Sequence, residues 1–147
     1  MHISGLRILV VEDHDFQRGI LLKMLATLGA TSLYAAADGS AALRIVMAPD
    51  APIDIIFSDL GMPGMDGMEF MRHLGELGNP ASVILTSALE GPLLASVETM
   101  ARAYGVRILG VIAKPITPRM LDALIGLHAQ PARVADVRET AVREVGL

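Results

Sequence analysis

The chain has 147 residues, 52% of them hydrophobic and 19% charged, which is enough apolar material for one domain with a complete core and too much for a disordered segment. A formal net charge of −4 argues against nucleic acid or an anionic membrane as a direct partner. The absence of cysteine removes disulfide frameworks, thiolate metal sites and thiol nucleophiles, and is compatible with a reducing cytoplasm.

The first apolar run, residues 8–11, meets acid at once and is too short for a signal peptide or a membrane span. Residues 6–11, LRILVV, are apolar apart from Arg7, as a strand buried on both faces should be. A helix is predicted over 15–28, with Phe16, Ile20, Met24 and Leu28 on its apolar face and Gly29 as its stop. SLYAAA, 32–37, is a second strand; Asp38-Gly39-Ser40 then turns the chain into a short helix that ends near Pro49. IDIIFS, 53–58, is the third strand, followed by a helix over 68–77 that closes at Gly78-Asn79-Pro80. SVILTS, 82–87, is the fourth strand, and a helix over 93–104 precedes Gly105. VRILGVIA, 106–113, is the fifth strand, and a helix over 118–128 begins with Thr117 as N-cap and Pro118 at its first position.

Strand and helix alternate throughout, which implies a parallel sheet covered on both faces and joined by right-handed crossovers. In such sheets ligand chemistry sits beyond the C-terminal strand ends. Glu12 and Asp13 follow the first strand, Asp59 the third, Thr86 and Ser87 close the fourth, and Lys114 follows the fifth. The fold therefore brings three carboxylates, hydroxyls and a lysine to one edge. Acids so placed repel one another unless a cation is present, and hard oxygen ligands suit Mg²⁺. A carboxylate can attack phosphorus and carry a phosphoryl group, with a metal and a lysine neutralising the transferring charge and a hydroxyl bonding one phosphoryl oxygen. Asp59 is the expected nucleophile. The constrained loop after it, Gly-Met-Pro-Gly, leaves room for metal and phosphate against backbone, with the Gly61 carbonyl as a candidate metal ligand.

The segments ILVVED, DLGMPGMDG, LTSA and AKP, in this order, resemble the receiver domains of two-component response regulators over about residues 6–128. The resemblance implies a flavodoxin-like (βα)5 three-layer α/β sandwich with parallel strand order 2-1-3-4-5. It implies a signalling domain and not a metabolic enzyme, which accepts a phosphoryl group from a sensor histidine kinase on Asp59 and switches a downstream output domain or protein through the surface built on residues 89–128. It further implies Mg²⁺ held by Asp13, Asp59 and the Gly61 carbonyl, with Glu12 acting through water. Ser87 matches the family's switch hydroxyl because Ala88 follows it, and Thr86 is the runner-up. Lys114 would contact the phosphoryl group, and Lys114-Pro115 would be a cis bond. Val111 stands where the family often carries an aromatic residue, so a Ser87-to-aromatic switch is not expected and the signal must leave by another route. The segment from Ser87 to Lys114 is longer than the family's usual one. With its flanks it resembles receivers that precede EAL-type cyclic di-GMP phosphodiesterases, which suggests cyclic di-GMP turnover as the output.

Taken singly, the residues have plainer readings: Asp59 as a turn cap, Glu12-Asp13 as helix N-terminal acids, Lys114 as a surface lysine, Ser87 as a local backbone ligand. The four histidines show no ligand spacing and are expected to be solvated. Residues 1–128 are thus assigned to the receiver and 129–147 to a helical tail or linker, in which Val134, Val137, Ala141 and Val145 share a face suited to dimerising or connecting domains. Two rival readings stand beside this one. The alternative is a phosphorylation-independent interaction module, against which the intact acid set counts. A Mg²⁺-dependent phosphohydrolase would want a second acid two residues after its nucleophile, where this chain has Gly61.

Overall fold

A computed structural model describes residues 3–50, 52–60, 67–88 and 91–129. After a short 3-10 turn, Ile3–Gly5, come β1 (Arg7–Val11), α1 (Asp15–Thr27), β2 (Ser32–Ala36), α2 (Gly39–Val46), β3 (Ile55–Asp59), α3 (Gly67–Leu77), β4 (Ser82–Ser87), α4 (Gly91–Ala103), β5 (Arg107–Ala113) and α5 (Pro118–His128). The strands form one parallel sheet in the order β2-β1-β3-β4-β5, the flavodoxin-like topology expected from the sequence. Lys114-Pro115 is cis, also as expected. The tail beyond Ala129 and the Gly61 carbonyl lie outside the described residues. Among the described residues no helix is long and apolar enough to cross a membrane.

Alternation along the strands builds two cores. Ile8, Val10, Ile55, Phe57, Ile84 and Ile112 face one layer, where Leu21 and Leu25 of α1 meet Leu121 and Ile125 of α5. Leu9, Val11, Ile56, Val83 and Leu85 face the other, against α2, α3 and α4 through Ala42, Val46, Phe70, Met71, Leu74 and Ala101. β3 and β4 are buried along their whole length, which is why they read as unbroken apolar runs.

The apolar face expected for α1 is not the buried one. Leu21 and Leu25 point inward, whereas Phe16 is 71% exposed and Ile20 40%. Because residues 20–25 read ILLKML, several stripes look alike, and packing against α5 selects one of them. Met24 and Leu28 pack at its margin, and Phe16 and Ile20 are left on the rim of a groove.

Two close approaches fix how the helices sit. A Cβ at Gly75 of α3 would lie 2.0 Å from the carbonyl oxygen of Tyr104, in the turn between α4 and β5, so only glycine lets these elements touch. At the N-terminal edge, Arg107 Nη1 donates to Ser82 Oγ (3.0 Å), which lies 2.8 Å from His128 Nδ1. While it accepts from Arg107, the Ser82 hydroxyl still has its own proton to offer an unprotonated Nδ1. His128 is therefore a half-buried network member, where the sequence suggested a solvated residue.

Burial and the neighbouring Arg107 guanidinium lower the His128 pKa, against a smaller opposing pull from Asp54. The unfolded chain then binds the proton more readily, so this contribution is intact above the unfolded value, near 6.5, and is lost as pH falls through the lower folded value. The urea midpoint should fall between about pH 7 and pH 5 more steeply in the wild type than in His128→Gln; equal slopes would remove His128 as the cause. Gly75→Ala should cost roughly 1–3 kcal/mol in the same assay, since the clash is with backbone; an unchanged midpoint would mean that α3 and the Tyr104 turn can separate freely.

Candidate functional site

The acidic edge follows from topology. β1 and β3 are neighbours at the centre of the sheet, and Val11 pairs with Ser58, so the next residues, Glu12 and Asp59, stand side by side. Both are buried, with 5% and 6% exposure, while Asp13 is exposed. One carboxylate oxygen from each of Glu12, Asp13 and Asp59 lies within 4.8 Å of the others. Such an all-oxygen set, partly open to water, fits a hard divalent cation.

Each carboxylate is placed by local structure. The Glu12 backbone N–H donates to Ala36 O of β2 (3.1 Å), which carries the parallel ladder one residue past β1. His14 then caps α1, its Nδ1 accepting from the Gln17 N–H (3.4 Å), while its own N–H donates to Glu12 Oε2 (3.1 Å). Arg18 donates to the Glu12 carbonyl (2.8 Å) and pairs with Asp15 (2.6 Å). The positive end of α1 thus begins directly beside the acids. On the other side, a Cβ at Gly67, the first residue of α3, would lie 2.5 Å from the Asp59 carbonyl oxygen and 2.7 Å from Leu60 Cα. Glycine at this position lets α3 begin against the backbone of Asp59.

Lys114 arrives from further away. β5 is separated from β3 by β4, a span of roughly 10 Å, and only a long side chain can reach back across it. Its ammonium lies 3.1 Å from Glu12 Oε1 and 3.5 Å from Asp59 Oδ1, and it donates to Gln17 Oε1 at 2.9 Å. Burial still raises the Glu12 pKa, and the Asp59 charge adds to this; the His14 N–H and Lys114 oppose it.

The two hydroxyl candidates differ in position. Thr86 is the ladder partner of Asp59 and so lies on the same face of the sheet, towards α1 and α5. Ser87 stands one residue further along, paired with Ala113, and its carbonyl accepts from the Lys114 N–H (2.9 Å). Both are 2% exposed. Val111 is half-buried opposite Leu85, on the other face from Asp59.

Sequence reasoning brought Glu12, Asp13, Asp59, Thr86, Ser87 and Lys114 to one edge, and the structure places all of them there. It did not find Gln17 or Arg18. The available signal was the helix start immediately after the acid pair, which stacks the first turn of α1 over the site.

The arrangement has known counterparts. The chain is 35% identical to the cyclic di-GMP phosphodiesterase RocR of Pseudomonas aeruginosa over 123 residues, 84% of this chain but 31% of that protein. A response regulator structure from Colwellia psychrerythraea superposes with a TM-score of 0.71 at 31% identity, covering 86% of this chain and 98% of that one. A chain of the CheX-CheY-BeF3-Mg²⁺ complex from Borrelia burgdorferi superposes with a TM-score of 0.71 at 27% identity, covering 82% and 86%. The profile of the response regulator receiver domain matches residues 8–126, and with the parallel five-stranded sheet and its acidic edge this establishes that the chain belongs to that family.

Proposed function

We propose that this receiver is a phosphorylatable switch, with Asp59 as phosphoacceptor. The observation that carries the reading is the convergence of Glu12, Asp13 and Asp59 on one point, with the Lys114 ammonium reaching Glu12 and Asp59 from β5. In the transfer from a sensor histidine kinase, an Asp59 carboxylate oxygen forms a bond to phosphorus as the bond from phosphorus to the kinase's histidine nitrogen breaks; the electron pair leaves on that nitrogen.

Lys114 donates to the phosphoryl oxygens as their charge develops, and Ser87, with Thr86 as runner-up, donates to one of them. Mg²⁺ is the proposed cofactor: Asp13, Asp59 and the Gly61 carbonyl would hold it, with Glu12 acting through water, and it would neutralise charge on the acids and the phosphoryl group. The domain is a signalling element whose chemistry is confined to its own phosphorylation and dephosphorylation. Added charge at Asp59 then biases the loops and helix surface over residues 89–128 towards an output.

The chain spans about a third of the length of RocR, a cyclic di-GMP phosphodiesterase, and cyclic di-GMP turnover is the proposed class of output. Residues 1–128 form the receiver in this proposal, and 129–147 link it to that output or to a second copy. The proposed setting is the cytoplasm.

Incubation of the full chain with acetyl phosphate and Mg²⁺ should add one phosphoryl group by intact mass, and chelation of the metal should suppress it. Asp59→Asn should abolish the gain; persistent labelling in that variant would overturn the assignment.

A further inference from the structure

We infer that Gln17 is a positioning residue for Lys114, one that sets the resting place of the ammonium and yields it when a phosphoryl group enters. The inference rests on the phosphoacceptor reading above. An ammonium has three N–H donors, and here its neighbours come from three elements: Glu12 after β1, Asp59 at the end of β3 and Gln17 on α1. Their order is unexpected on charge alone. The neutral amide oxygen of Gln17 is nearest, at 2.9 Å, Glu12 follows at 3.1 Å, and Asp59 is farthest at 3.5 Å, beyond the optimum of a charge-assisted hydrogen bond.

Gln17 is well placed to hold this arrangement. Its backbone N–H is tied to the His14 cap, so its side chain springs from a fixed first turn. The groove it shares with Lys114, about 630 Å³, is walled by Phe16, Ile20, Pro115 and Ile116, and Gln17 supplies an amide acceptor beside the Lys114 stem. With Gln17 drawing the ammonium towards α1, Lys114 stays near Asp59 without closing onto it. A phosphoryl group on Asp59 would take one donor from Lys114. The neutral amide is the partner whose release costs least, because both alternatives are carboxylates. Without Gln17 the ammonium, already bonded to Glu12, is free to close onto Asp59 and obstruct the nucleophile.

The test is a double-mutant cycle in the full chain. Gln17→Leu keeps the side-chain size but removes the acceptor; labelling by acetyl phosphate with Mg²⁺ should slow roughly tenfold. In a Lys114→Met background the same substitution should change the labelling rate by less than about twofold, because the effect runs through the ammonium. A wild-type rate in Gln17→Leu, or an equal slowing in both backgrounds, would overturn the inference. A readout independent of phosphate is the NMR signal of the Lys114 ammonium, which should shift and exchange faster with water in Gln17→Leu. If wild-type protein takes no phosphoryl group, the phosphoacceptor reading fails by itself, and this signal alone decides the role of Gln17: a shift supports it and an unchanged signal ends it.

Discussion

Two carboxylates are buried beside each other at the end of a parallel sheet, and much of the local architecture serves to make that tolerable. Removing an ionised carboxylate from water costs several kcal/mol after relaxation, and a second one nearby adds repulsion. Glu12 and Asp59 meet this cost with an ammonium from β5, a backbone N–H from His14 and the positive end of α1. The compensation is incomplete: Glu12 remains harder to ionise than an ordinary glutamate, chiefly because of its burial. A site in this condition favours whatever brings further positive charge, which is the physical link between the acid cluster and the proposed metal chemistry.

The groups that relieve the charge come from distant parts of the chain. Lys114 is 102 residues from Glu12 and 97 from Gln17, so their meeting depends on β5 lying two strands from β3 with its end level with the acids. The glycines contribute in the same way. Gly67 lets α3 begin on the Asp59 backbone, and Gly75 lets the same helix touch the Tyr104 turn before β5. One helix therefore presses on the strand of Asp59 at one end and on the approach to the strand before Lys114 nearer the other.

The helix faces divide the molecule into unequal halves. The acids, Lys114, Gln17 and Thr86 belong to the layer of α1 and α5, whereas Val111 faces α2, α3 and α4. Phe16 and Ile20 remain exposed on the rim beside the acids, since packing against α5 uses Leu21 and Leu25. At the opposite edge, the Ser82–Arg107–His128 network pins the end of α5, so the helix is fixed where it leaves the sheet.

The sequence by itself determined the alternation of strands and helices, and with it the edge where the acids had to meet. Buried parallel strands are apolar on both faces, and glycine and proline mark where they and their helices stop, so residues 12, 13, 59, 87 and 114 could be read as strand ends without coordinates. Tertiary structure alone decided which stripe of α1 turned inward, because a helix apolar on several sides has no preferred face until a neighbour packs on it. It also decided the partners of His128 and Gln17. A polar side chain's role depends on what long-range folding places within 3 Å of it, and neither Ser82 nor Lys114 leaves any trace near those residues in the chain.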